Sequence, residues 1–130
     1  AAGPPFIRYL VFEPDGPFRI ELAVPVPAGA GADGAIRTGE LPAGRYVAYV
    51  HAGAYRATTP DWRGRDLAAA HAAVLAWGQR AGVAWDIRET AEGTLWGARV
   101  ERYLVGPPRE PDPARWRTEL LILTADGTGA

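Results

Sequence analysis

Arg45-Tyr46-Val47-Ala48-Tyr49-Val50-His51 and, after a break at Thr59-Pro60, Leu67-Ala68-Ala69-Ala70-His71-Ala72-Ala73-Val74-Leu75-Ala76-Trp77 are the two stretches that set the fold class. In the first, Tyr46, Ala48 and Val50 alternate with Val47, Tyr49 and His51, the period of a strand. In the second, Leu67, Ala70, Val74, Trp77 and Ala81 recur at spacings of three and four, which stacks them on one face of a helix. Thr59-Pro60 supplies an N-cap followed by proline at the first helical position, so the helix is predicted from about Asp61 to Arg80, closed by Gly82.

Upstream, Phe6 to Glu13 and Phe18 to Val26 are rich in aromatic and branched residues and flank the turn sequence Pro14-Asp15-Gly16, which predicts a β-hairpin. Phe18, Ile20, Leu22 and Val24 give the second arm an apolar face, and Pro25 and Pro27 end its pairing. Downstream, Trp85 to Glu89, Trp96 to Leu104 and Trp116 to Leu123 read as three more strands, the last two joined by the loop Gly106 to Pro113. The order hairpin, strand, helix, strands predicts an α+β fold, an antiparallel sheet with helices on one face. At 130 residues the chain is expected to form a single domain, residues 1–130.

Composition excludes much chemistry. All 14 basic residues are Arg, set against 15 acidic ones for a net charge of -1, so the basic field that nucleic acid demands is missing. The absence of Cys, Met, Lys, Ser and Asn removes disulfides, thiolate chemistry, Schiff bases and the Ser-His-Asp triad. Any catalysis rests on carboxylates, Tyr, His, Thr or Arg. No apolar run approaches the roughly 20 residues of a membrane span, and no secretory signal pattern opens the chain. A soluble, cytoplasmic protein with no cofactor is expected, and its Arg and Ala richness fits a GC-rich bacterial source.

Gly29-Ala30-Gly31-Ala32-Asp33-Gly34 matches the dinucleotide fingerprint in letters only, because Gly39 and Pro42 forbid the helix that must follow it. His51 and His71 have no second His or carboxylate at metal-ligand spacing, so no metal site is expected. A core or surface role is expected for both, although His51 ends a strand beside Gly53 and Tyr55, where a pocket mouth would lie. Along Leu95 to Val105, read as one strand, Glu101 and Tyr103 share a face while Trp96, Val100 and Leu104 share the other. The apolar side is expected to pack on the helix, leaving Glu101 and Tyr103 on the far side. In the last strand Glu119 and Leu121 oppose Thr118, Leu120 and Ile122. Glu119 among Leu and Ile reads either as a solvated or Arg-paired acid or as the acidic floor of a cavity.

Six blocks in order resemble the landmarks of GyrI-like domains: Pro5 to Tyr9, Arg19 to Val26, Leu41 to Tyr46, His51 to Tyr55, Glu101 to Leu104 and Arg117 to Leu120. That family, which includes effector-binding domains of multidrug-sensing regulators, is built from two strand-helix-strand-strand repeats about a pseudo-twofold axis, with ligands in the groove between them. The resemblance implies Glu119 as the pocket acid, with Tyr103, Glu101, Tyr55, Tyr9 and Glu21 lining it. It also implies that the first repeat here is incomplete, since only Ala1 to Pro4 precede the first block. The chain has no helix-turn-helix region with which to hold an operator.

The leading expectation is therefore reversible binding of bulky hydrophobic, often cationic aromatic molecules, as a multidrug sensor or a sequestering protein. One branch of stand-alone GyrI-like proteins, which this chain also resembles, hydrolyses cyclopropane-bearing toxins. On that reading Glu101 or Glu119 is the general base and Tyr103 or Tyr55 the donor. A third reading makes the groove a docking site for a protein partner such as a topoisomerase.

Overall fold

The computed structural model describes residues 3–13, 16, 18–55 and 66–125. Its elements in chain order are β1 (Phe6–Phe12), β2 (Phe18–Ala23), β3 (Tyr46–Ala52), α1 (Leu67–Ala81), β4 (Ile87–Thr90), β5 (Gly93–Trp96), β6 (Arg99–Val105), a short 3-10 turn (Pro113–Arg115) and β7 (Arg117–Leu123). The seven strands form one sheet in which every pairing is antiparallel, with the order β3-β7-β6-β1-β5-β4 and β2 on β1. One helix is present among the described residues, so the fold is α+β, as the order of patterns predicted.

α1 spans Leu67–Ala81, and the predicted start at Asp61 lies outside the described residues. Asp66 is its N-cap, with an extended backbone and a carboxylate that accepts from the Ala69 N–H at 2.8 Å, satisfying one of the free donors of the first turn. The predicted cap at Thr59-Pro60 lies outside the described residues. Gly82 closes the helix in the left-handed region, as expected, and its N–H reaches back to Gln79 and Gly78.

The buried stripe of α1 is Leu67, Ala70, His71, Val74 and Gly78, so the prediction holds for three positions and fails at Trp77 and Ala81, which are exposed. The physical reason is Trp85. Its indole lies over Gly78, where an added Cβ would overlap the ring, so the helix approaches this part of the structure through a residue without a side chain. Leu67, Ala70 and Val74 join Trp96, Leu120 and Ile122 in the core, with Val47, Tyr55, Leu75 and Trp85 packed around them.

Two strand irregularities decide which side chains reach the helix side of the sheet. The predicted strand from Trp96 to Leu104 is broken at Gly97 and Ala98, so β5 and β6 run along β1 in sequence: Val11 pairs with Leu95, whereas Arg8 pairs with Val100. β1 has a matching irregularity between Tyr9 and Val11. Side-chain parity therefore changes at Gly97-Ala98, because each extra residue in a strand shifts the alternation by one. Trp96, Arg99, Glu101 and Tyr103 all face α1, and Val100, Arg102 and Leu104 face away. This corrects the expectation that Glu101 and Tyr103 project from the side opposite the helix. In β7 the predicted alternation holds, with Thr118 and Leu120 buried beneath the helix and Glu119 on the far face.

α1 covers only part of its sheet face. Phe18, Ile20 and Leu22 pair with Phe12, Tyr9 and Ile7 and share their side of the sheet, but they stay exposed among the described residues, Leu22 to 79 %. Substituting Gly78 by Ala tests the Trp85 contact. Alanine favours a helix by ~1 kcal/mol over glycine, yet forcing the indole aside costs about 1–3 kcal/mol. Urea denaturation of Gly78→Ala is thus expected to show a net loss of stability, and a gain would mean that Trp85 moves freely.

Candidate functional site

Where α1 leaves the sheet, a cavity of about 500 Å³ opens between the helix and strands β1, β5 and β6. Its helix wall is Leu67, Ala68, His71, Ala72 and Leu75, and its sheet wall is Tyr9, Phe12, Glu13, Thr94, Trp96, Arg99 and Glu101. The change of parity at Gly97-Ala98 is what brings Trp96 and Arg99 into this wall together. The Arg99 guanidinium lies 4.6 Å from the Trp96 ring and 5.7 and 5.8 Å from the rings of Phe12 and Tyr9. Three aromatic faces thus hold a cation that belongs to the protein itself.

A buried polar cluster closes one end. Glu101 accepts from the Tyr103 hydroxyl through Oε1 at 2.6 Å and from His71 Nε2 through Oε2 at 2.6 Å, while Arg99 Nη2 lies 3.1 Å from His71 Nδ1. Arginine can only donate, so Nδ1 is the acceptor and the ring proton sits on Nε2, directed at the carboxylate. His71 thus bridges the Arg99 guanidinium and the Glu101 carboxylate.

Burial by itself raises the Glu101 pKa, but its hydrogen-bonding and electrostatic interactions with His71 and its hydrogen bonds with Tyr103 and Tyr9 outweigh it and hold the carboxyl below its ordinary value of 4.5. The same contacts act in reverse on the phenols. Burial first, then the Glu101 charge and its hydrogen bond, push Tyr9 up, and burial followed by the Glu101 hydrogen bond and charge does so for Tyr103. Both hydroxyls stay protonated donors at neutral pH. Burial lowers the Arg99 pKa, opposed by Tyr9 and Glu101, and the guanidinium remains charged.

Beyond Tyr103 lies an open groove of about 1530 Å³. Tyr55 and Tyr103 line it with Ile7, Leu22 and Ile36, and the loop from Gly106 to Glu110 forms one bank. Tyr55 packs edge-on to Tyr103 at 5.6 Å and against Trp116 at 4.7 Å, and burial followed by the Glu101 charge raises its pKa. The Tyr103–Glu101 pair is therefore the partition between groove and cavity.

Of the residues singled out from sequence, Tyr9, Glu101, Tyr103 and Tyr55 come together around these two spaces. Glu119 does not join them. It lies on the opposite face of the sheet, where Oε1 takes Arg102 Nε at 2.9 Å and Nη2 at 2.7 Å, the Arg pair that was one of its two readings. Glu21 stands opposite Arg8 on that same far face and meets Arg37 at 3.8 Å. His51 is buried in β3, where its Nε2 donates to the Ala54 carbonyl at 2.9 Å, away from both spaces. Among the described residues no group of three His, Asp or Glu side chains is placed to hold a metal ion, and no helix is long and apolar enough to cross a membrane.

Sequence reasoning missed His71, Arg99, Trp96 and Phe12. His71 had a signal, since it follows Leu67 by four residues and precedes Val74 by three, on the buried side of the helix. For Arg99 the cue was Gly97, a break in an otherwise strand-like run. No protein-family model matches the chain, and no curated protein is significantly similar to it in sequence.

The sign of the Glu101 shift fixes an acid response. A carboxylate with a depressed folded pKa contributes stability that is fully present above its unfolded pKa and is lost as pH falls through the folded value. The urea midpoint of the wild type is expected to drop as pH is lowered below about 4.5, the ordinary value of the group. Glu101→Gln should be less stable at pH 7 by about 1–3 kcal/mol, the scale of a disrupted buried charged hydrogen bond, and its acid limb should be shallower. An unchanged acid limb would show that another carboxylate governs it.

Proposed function

We propose that the chain reversibly binds a flat, largely apolar small molecule in the cavity beneath α1, as a sensor or sequestering domain of the GyrI-like kind. The observation that carries this reading is the cavity itself, of about 500 Å³, walled by Tyr9, Phe12, Trp96, Leu67 and Leu75 and ending on a few convergent polar groups. Ligand sites of drug-sized molecules have that character, apolar walls with a small polar set and volumes of roughly 300–1,000 Å³. The six sequence blocks that resemble GyrI-like domains support the same class. On that reading β3, α1 and the following strands correspond to one strand-helix-strand-strand repeat, and the β1–β2 hairpin to the end of another.

Two features shape the ligand and the outcome. The aromatic faces that would receive a ligand's cation already hold Arg99, so an aromatic body without a positive charge fits better than a cationic one. Glu101 has both oxygens engaged and is held below the ordinary carboxylate range, which makes it a weak proton acceptor near neutrality. Binding without turnover is the better match to such a group than general-base hydrolysis.

Tryptophan quenching by a series of flat tricyclic aromatics tests the proposal. Saturable quenching is expected in the wild type, with the ligand recovered chemically unchanged. Ala72→Phe, which fills the cavity from the helix side, should weaken binding by about ten-fold or more, equivalent to ~1.4 kcal/mol. Glu119→Gln, on the far face, should leave it unaltered. Absence of saturable binding, or weakening by the Glu119 change but not by the Ala72 change, removes the cavity as the site.

A further inference from the structure

β2 is an outermost strand: among the described residues it pairs with β1 alone, so one edge of its backbone has no ladder to join. Phe18, Ile20 and Leu22 stand on its helix side and are 64, 37 and 79 % exposed. Arg19 and Glu21 alternate with them on the other face. Their ion pairs, with Glu92 at 3.6 Å and Arg37 at 3.8 Å, are long and exposed, so they hold those charges weakly. An open edge beside a row of large apolar side chains is a surface to which a further strand can add.

The order of residues along β2 decides which strand fits it. A second copy related by a twofold axis perpendicular to the sheet presents the same strand antiparallel, with the two helix sides in phase. When that axis passes through Ile20, Phe18 faces the second copy's Leu22, Ile20 faces its own counterpart, and Arg19 faces the second copy's Glu21. Symmetry makes the Phe–Leu and Arg–Glu pairs twice. Cβ atoms directly opposite lie about 4.5–5.5 Å apart, within reach for apolar contact and for opposite charges. Moving the axis to Arg19 or Glu21 sets like charges face to face, which is destabilising, and moving it to Leu22 leaves Glu21 opposite Ala23. β2 is thus complementary to itself, in charge and in hydrophobicity, in one register.

We propose that β2 is the contact surface of a symmetric homodimer, in which two copies join β2 to β2 about Ile20 and one sheet runs through both. This goes beyond small-molecule binding and does not depend on it. A six-residue strand pair lies at the small end of protein interfaces, so the dimer forms with a dissociation constant in the micromolar range. Leu22 also lines the open groove beyond Tyr103, and the second copy's Phe18, set opposite it, extends the wall of that groove.

Sedimentation equilibrium of the chain, alone and in mixtures, tests the pairing. The wild type is expected to dimerise at micromolar concentration. Arg19→Glu sets negative charges opposite each other at both symmetric positions, and Glu21→Arg does the same with positive ones, so each should weaken the homodimer about ten-fold or more. Mixed in equal amounts, the two variants regain opposite charges at both positions, and native mass spectrometry should find their heterodimer in excess over either homodimer. Should a charge change impair folding, as read by circular dichroism, Leu22→Lys, at the most exposed of the three apolar positions, is expected to weaken the dimer instead. A wild type that stays monomeric to about 1 mM overturns the proposal. A dimer that none of these changes weakens overturns it as well, because the contact then lies elsewhere. Weakening by both charge changes without recovery in the mixture overturns the register about Ile20.

Discussion

The hydrogen bond from His71 to Glu101 is the contact on which the rest of the arrangement depends. It ties α1 to β6, and it does so beside a core of Leu, Ile, Val, Ala and Trp side chains. A carboxylate in such a place is tolerable only if its oxygens are fully engaged, and Glu101 meets that condition through one imidazole and two phenols. The cost of breaking any one of these contacts falls on a buried charge, so the cluster holds the helix at one height and rotation over the sheet. The cavity is the space left beside this fixed point, where the helix ends its coverage and the aromatic side chains of β1 and β5 stand up from the sheet.

The same cluster divides the site's chemistry. Arg99, His71 and Glu101 form a chain in which a guanidinium and a carboxylate are joined through one imidazole ring. Glu101 looks inward, its hydrogen-bonding capacity largely used by the protein. Arg99 is caged by aromatic faces but keeps donors to spare. Glu101 is therefore the more fully engaged partner, and Arg99 the one with capacity left.

The fold was readable wherever periodicity was unbroken. The α+β class, the antiparallel strands, the Gly82 stop and the alternation along β7 all follow from simple spacing. What escaped was local: the strand breaks between Trp96 and Arg99, so the alternation does not carry across Gly97-Ala98, and the glycine marks a break without telling which way the next strand faces. For that reason Glu101 and Tyr103 were grouped correctly but turned to the wrong side. Trp77 and Gly78 show the complementary failure. Hydrophobicity puts the tryptophan inside and ignores the glycine, whereas Trp85, which follows the helix, needs the room that only glycine leaves. Glu119 was ambiguous for a third reason, since its Arg102 partner sits across a strand pair and cannot be found from spacing within one strand.

β2 has one further consequence, for how the chain behaves among its own copies. Among the described residues it pairs with β1 alone, so its outer edge carries free backbone donors and acceptors beside the exposed Phe18, Ile20 and Leu22. Such an edge is a template on which another strand can grow. Here its length is capped at six residues, Phe18–Ala23, and Pro25 and Pro27 beyond it carry no N–H to extend a ladder. Arg19 and Glu21 set charges of opposite sign on alternate positions, so an incoming strand must match both charge and register. The edge is open in chemistry but closed to indefinite growth, which limits association there to a short, discrete pairing rather than a fibre.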